Sequence, residues 1–306
     1  MRSGQARIRP DMRVLSVLLL VLVVATACRS DKGDSGRDQS PTGRIEFTSS
    51  RDGDDDIYVM NADGSDQMRL TTDFTNDSFP AWSPDCQLIA FTSNPDVFGA
   101  IFVMASDGSG KVRLTASIGS DAVPSWSPDG RRIAFQSGRD RSWEIYVMNA
   151  DGSDQTRLTD SPADEVYPRW SPDGKSMAFI SDRDGNLEIY VMRADGSAQK
   201  RLTNSRGIDT TPAWSPDGGH IAFASDRDGN LEIYVMRADG STQKRLTNSQ
   251  GIDTTPAWSP DGRYVAFSSD RDGDSEIYVM KAGGSDQARL IFSSGGDATP
   301  AWAPKN

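Results

Sequence analysis

The sequence predicts an all-β fold: a six-bladed β-propeller with four antiparallel strands per blade, its N-terminal blade closed by the C-terminal strand. Three observations predict it. First, Trp82, Trp126, Trp170, Trp214, Trp258 and Trp302 recur every 44 residues, and Ile57 to Ile277 and Arg69 to Arg289 keep the same spacing. No insertion breaks the register from Arg44 to Trp302, and a fixed period of this size marks a repeat architecture. Second, each repeat holds four short apolar or β-branched runs separated by turn residues, which is the content of one propeller blade. Third, the array opens on Ile45-Glu46-Phe47, a second strand, and ends on Pro300-Ala301-Trp302, a first strand. Joining the two completes a sixth blade and removes the open edge that a solenoid would expose.

The elements of one repeat follow in order. Pro256-Ala257-Trp258-Ser259 is the first strand, and Pro260-Asp261-Gly262 is a turn. Proline sets φ at the second turn position and glycine accepts the unusual φ at its end. The second strand is Tyr264-Val265-Ala266-Phe267-Ser268, and a polar loop runs from Asp270 to Ser275. The third is Glu276-Ile277-Tyr278-Val279-Met280, apolar at successive positions, so both of its faces need cover from neighbouring blades. A Gly283-Gly284 turn leads to the fourth, Ala288 to Ile291; other repeats place Ala-Asp-Gly-Ser there, a hairpin signal.

The repeat Trp-Ser-Pro-Asp-Gly-x-x-Ile-Ala-Phe-x-Ser, followed by Ile-Tyr-Val-Met-x-Ala-Asp-Gly-Ser and Arg-Leu-Thr, resembles the TolB-type propeller repeat (the WD40-like PD40 repeat). The resemblance covers residues 44 to 302 in six copies. It implies a cell-envelope setting, because TolB itself belongs to the periplasmic Tol–Pal system. Function is carried by sites grafted on folds, so the residues are read separately below.

The N-terminus reads as a targeting segment. Arg2, Arg7, Arg9 and Arg13 form a positive region, and Val14 to Ala25 is an apolar run too short for a comfortable membrane span. Met12 is an alternative start. Ala25-Thr26-Ala27-Cys28 resembles a bacterial lipobox, which implies cleavage before Cys28 and a lipid on its thiol. An ordinary secretory signal with an incidental Cys28 is the alternative, and a bridge from Cys28 to Cys86 is open in principle. The expected layout is a signal peptide over 1–27, lipidated cysteine and flexible tether over 28–43, and propeller over 44–306. The tether carries no large apolar side chain from Arg29 to Gly43, so it cannot bury enough surface to order itself.

A net charge of −11 repels phosphate backbones and argues against nucleic acid; cationic partners or metal ions fit it better. Catalytic material is sparse. His220 is the single histidine, Cys86 reads as an incidental lone thiol in the glycine place of a Ser-Pro-Asp-Gly turn, and no nucleophile elbow is present. Two acidic rings stand out. Asp52, Asp96, Asp140, Asp184, Asp228 and Asp272 are expected to cap their own turns through backbone N–H groups. Asp77, Asp121, Glu165, Asp209, Asp253 and Asp297 are expected at one channel mouth, neutralised by Arg69 and its five equivalents or by a cation such as Ca²⁺. Blade-specific residues are candidates for partner contacts: Phe98, Arg139, Arg141, Trp143, Tyr167 and Arg169, with Phe74 and Phe79 also unique to single repeats. Residues 171–214 and 215–258 differ at six positions, which fits recent duplication better than individually tuned sites.

The resulting expectation is a non-catalytic envelope lipoprotein, a monomeric domain anchored by a lipid on Cys28, that binds an envelope protein or peptide and needs no cofactor. The alternative is a cation- or carbohydrate-binding propeller, or a lyase or hydrolase using channel carboxylates.

Overall fold

The computed structural model describes residues 40–305; the signal segment, Cys28 and most of the tether lie outside the described residues. Chain order begins with β1 (Arg44–Ser49), β2 (Asp56–Asn61) and β3 (Met68–Arg69). Blade 1 follows as β4 (Asn76–Trp82), β5 (Leu88–Asn94), β6 (Ala100–Ala105) and β7 (Val112–Arg113). Blades 2 to 5 repeat this pattern, opening with β8 (Asp121–Trp126), β12 (Glu165–Trp170), β16 (Asp209–Trp214) and β20 (Asp253–Trp258). The last strand, β24 (Asp297–Trp302), pairs antiparallel with β1, so blade 6 has the order β24-β1-β2-β3. The sheet is sewn by Ser50 N–H to Gly296 O and by Ala303 N–H to Arg44 O, both 2.9 Å. All six sheets are four-stranded meanders, as the repeat predicts.

β4, β8, β12, β16, β20 and β24 each touch the next, and β24 touches β4. They therefore form a closed innermost ring. Apolar clusters fill every junction between blades. Ile45, Phe47, Met60 and Trp302 of blade 6 pack on Tyr264 and Ile277 on one side, and Ile57 and Val59 meet Trp82, Ile89 and Phe91 on the other. This is why the third strands are apolar at successive positions: each face of a sheet is buried by a neighbour. Phe47, Phe91, Phe135, Phe179, Phe223 and Phe267 are completely buried. Four of the tryptophans also lock blades together. The indole N–H of Trp126, Trp214, Trp258 and Trp302 donates to the inner-strand carbonyl of Ala81, Arg169, Ala213 and Ala257, at 3.1 to 3.2 Å.

Local chemistry closes the turns. In Ser171-Pro172-Asp173-Gly174 the serine hydroxyl donates to Asp173 at 2.6 Å, and Asp173 accepts the Lys175 N–H at 3.1 Å. These bonds hold the Asp173 carboxyl below the usual range. Gly196 in the next hairpin has φ 85°, and a Cβ there would sit 2.5 Å from the Leu158 carbonyl oxygen of the preceding blade. Only glycine lets the two blades approach this closely.

Candidate functional site

Each inner strand contains a bulge just before its proline. The bulged residues Phe79, Val123, Tyr167, Thr211, Thr255 and Thr299 have φ between 49° and 56°, a conformation L residues disfavour. Neighbouring blades hold four of them in place. The N–H groups of Phe79, Val123, Tyr167 and Thr299 donate to Thr48, Thr92, Gln136 and Ser268 of the preceding blade.

Five of the six bulged residues, all but Val123, and residues after them line a central cavity of ≈ 250 Å³. Its wall is uneven. Phe79 and Tyr167 meet edge to face, with centroids 5.8 Å apart. Arg169 lies in the same wall, where Ala81, Ser125, Ala213, Ala257 and Ala301 hold the equivalent place. Its one hydrogen bond is a 3.4 Å contact to the Pro168 carbonyl, and among the described residues no carboxylate pairs with it. Burial lowers its pKa, against a smaller raising effect of Tyr167.

The acids form a ladder in each blade, and its pairing corrects the expectation. Asp121 is completely buried and bonds Arg139 at 3.0 Å. The same contact recurs as Glu165–Arg183, Asp209–Arg227, Asp253–Arg271 and Asp297–Arg51, at 2.7 to 3.0 Å. The neutralising arginines thus come from the loop between second and third strands, not from Arg69 and its equivalents. The register explains why: Arg69 stands opposite Tyr58, which brings it to the third-strand acid Asp56 at 2.6 Å. Arg157, Arg201, Arg245 and Arg289 serve Glu144, Glu188, Glu232 and Glu276 in the same way. Each loop arginine also stacks on aromatic rings; Arg139 lies 4.5 Å from the Tyr146 centroid.

The other acidic ring is corrected too. Asp52, Asp140, Asp184, Asp228 and Asp272 accept the hydroxyls of Tyr58, Tyr146, Tyr190, Tyr234 and Tyr278 rather than backbone N–H groups. Asp96 has no such hydroxyl, since Phe102 replaces the tyrosine, and it keeps the pair with Arg113 at 3.1 Å. Burial pushes Asp56 up to about 6. Glu276 rises to about 7, through burial and then the charge of Asp297. Among the described residues no group of three or more His, Cys, Asp or Glu side chains is placed to hold a metal ion. His220 is exposed. Cys86 is not a free thiol, contrary to its reading as an incidental lone one.

The six partner candidates do not share one surface. Tyr167 and Arg169 face the channel. Arg139 is consumed by Asp121, and Trp143 is half-buried against Gly138. Arg141 is exposed, as is Phe98. Phe74, Val97 and Ile118 are also strongly exposed, and hydrogen bonds tie their loops together around blade 1. Asp121 N–H donates to Gly99 O at 2.8 Å, and Lys111 Nζ reaches Asp73 at 2.9 Å. Ile118, Lys111 and Thr211 escaped the sequence reading; a column-by-column comparison of the repeats would have singled out the first two.

The PD40 model, described as the TolB β-propeller domain, matches residues 36–122, 116–205, 166–231 and 200–306. The chain belongs to the TolB β-propeller family. Among solved structures, TolB from Acinetobacter baumannii is 27% identical, with a TM-score of 0.79, over 86% of this chain and 67% of that one. A putative TolB from Agrobacterium tumefaciens is 26% identical, with a TM-score of 0.68, over 87% and 93%. Hydrazine synthase from Kuenenia stuttgartiensis, 17% identical over 86% and 47%, with a TM-score of 0.72, shares the fold alone. No curated protein matches the chain. The TolB-like propeller therefore accounts for the architecture.

Proposed function

We propose that this TolB-like propeller is a non-catalytic lipoprotein of the cell envelope that binds a protein or peptide on the loop face around blade 1. One observation carries the reading. Phe74, Val97, Phe98 and Ile118 are exposed on loops that converge on one blade, whereas Ile252 and Phe292 are exposed singly elsewhere. Exposed apolar clusters of this kind mark interaction sites. The buried acids other than Glu46 are tied up in ion pairs, which leaves little material for acid–base catalysis.

The test is capture of partners from envelope extracts by the wild type and by a Phe74→Asp/Ile118→Asp double variant. Loss of a specific partner with an unchanged melting temperature supports the docking face; identical captures overturn it. The anchor is tested separately. A lipid on the Cys28 thiol and a Cys28–Cys86 disulfide exclude each other, and the bonded state of Cys86 counts against the lipid. Under non-reducing conditions, a fragment containing Cys28 that carries a diacylglyceryl mass supports the anchor. A fragment crosslinked to Cys86 overturns it.

A further inference from the structure

We propose that the central channel binds a carboxylate, with Arg169 as its anchor. The inference does not rest on the docking face of blade 1.

Two departures from the repeat create the site. The first is Arg169, in a place where four blades have alanine and one has serine. Every inner-strand acid is matched by a cation from its own blade, so Arg169 is surplus to the ladder and pairs with none of them. A guanidinium in a cavity walled by prolines, tryptophans and aromatic rings needs a counter-charge, and its planar fork matches a carboxylate in bidentate geometry.

The second departure is at position 224. Thr255 and Thr299 bond their hydroxyls to Ser268 and Thr48 of their own blades, both at 2.7 Å. The corresponding residue beside Thr211 is Ala224, and the Thr211 hydroxyl has no partner among the described residues. Arg169 and Thr211 belong to adjacent blades, joined by the Trp214 indole bond to Arg169 O, and both line the cavity. The half-buried guanidinium thus stands in the cavity wall without a counter-charge, and a bound anion would supply one.

The cavity also limits the ligand. At ≈ 250 Å³ it accepts a short group. The edge-to-face pair of Phe79 and Tyr167 offers an apolar wall beside the cation. A single cation suits one negative charge, and the chain's net charge of −11 disfavours polyanions. The chemistry required is a carboxylate next to an apolar or aromatic body, as in a small organic acid or the C-terminal residue of a peptide.

Calorimetric titration of the purified protein with N-acetylphenylalanine and with its uncharged amide tests this. Saturable binding of the acid, at least ten-fold tighter than the amide, is expected. Arg169→Ala, which installs the residue found in four other blades, should lose at least ten-fold affinity for the acid and keep its melting temperature. Absence of binding, equal binding of acid and amide, or unchanged affinity in Arg169→Ala overturns the proposal; the acid–amide comparison needs no variant. Phenylacetate and the peptide Gly-Gly-Phe, with free and amidated ends, identify the source. Tighter binding of the free-ended peptide assigns a chain end, and tighter binding of phenylacetate assigns a small acid.

Discussion

Glu46 stands where Ala90, Ala134, Ala178, Ala222 and Ala266 occupy the other blades. It is completely buried, with no side-chain partner for its carboxylate and only a weak backbone contact with Trp82. Burial raises its pKa well above the ordinary 4.5, so the folded state holds the proton. A raised carboxyl stabilises fully below its unfolded pKa, and that contribution is lost as pH climbs toward the folded value. Glu46→Ala should therefore stabilise the protein at pH 8 by about 1–3 kcal/mol, with the gain shrinking toward pH 4. Urea unfolding at the two pH values checks this, and equal effects at both would refute it. Lys111 shows the reverse case, an exception that compensates. Pro95 removes the loop arginine of blade 1, and Lys111 replaces the glutamine found at all five other positions and reaches Asp77 at 2.9 Å. Lys111→Gln should cost about 3–5 kcal/mol, because it strands a buried carboxylate. Adding Pro95→Arg rebuilds the arrangement of the other blades and should recover most of the loss in denaturation midpoint; no recovery would mean the two sites are independent.

At the scale of elements, the hairpin between third and fourth strands carries a left-handed residue in every blade: Asp66, Gly110, Asp154, Ala198, Thr242 and Asp286. Glycine adopts that φ freely, aspartate tolerates it, and a β-branched side chain does so at a cost of about 1–2 kcal/mol. Thr242 is exposed, so little packing opposes its replacement. Thr242→Gly should raise stability by about 1 kcal/mol, visible as a higher thermal midpoint with no change in ligand binding; an unchanged or lower midpoint would show that the turn is not strained. The bulged inner strands are a different matter. Their left-handed residues are braced by the preceding blade and aim side chains at the channel, so strain there accompanies a cavity, as it often does at functional sites.

For the whole molecule, closure is the decisive term. β24 supplies Trp302 to the blade 5–6 core and Asp297 to Arg51. Ending the chain at Ser294 removes both and opens an edge along β1. The loss should exceed about 5 kcal/mol, and calorimetry should show the cooperative melt abolished, with partial recovery on adding a peptide of residues 296–306. A truncated chain that melts like the wild type would refute the latch.

The period of 44 residues, the turn chemistry and the mismatched chain ends were enough to determine blade number, strand content and the joining of first and last strands. Those properties are legible because they repeat: six copies of one pattern average out local ambiguity, and hydrophobic periodicity reports burial directly. Pairing of charges was not legible. Two arginines and two acids per blade fit several pairings on spacing alone, and only the strand register brings Arg51 to Asp297 and Arg69 to Asp56. The orientation of Arg169 and the bare hydroxyl of Thr211 likewise depend on bulges and on neighbours from other strands. Sequence determined what each blade is, because that follows from local periodicity; tertiary structure decided which side chains are left over, because a surplus exists only once every neighbour is in place.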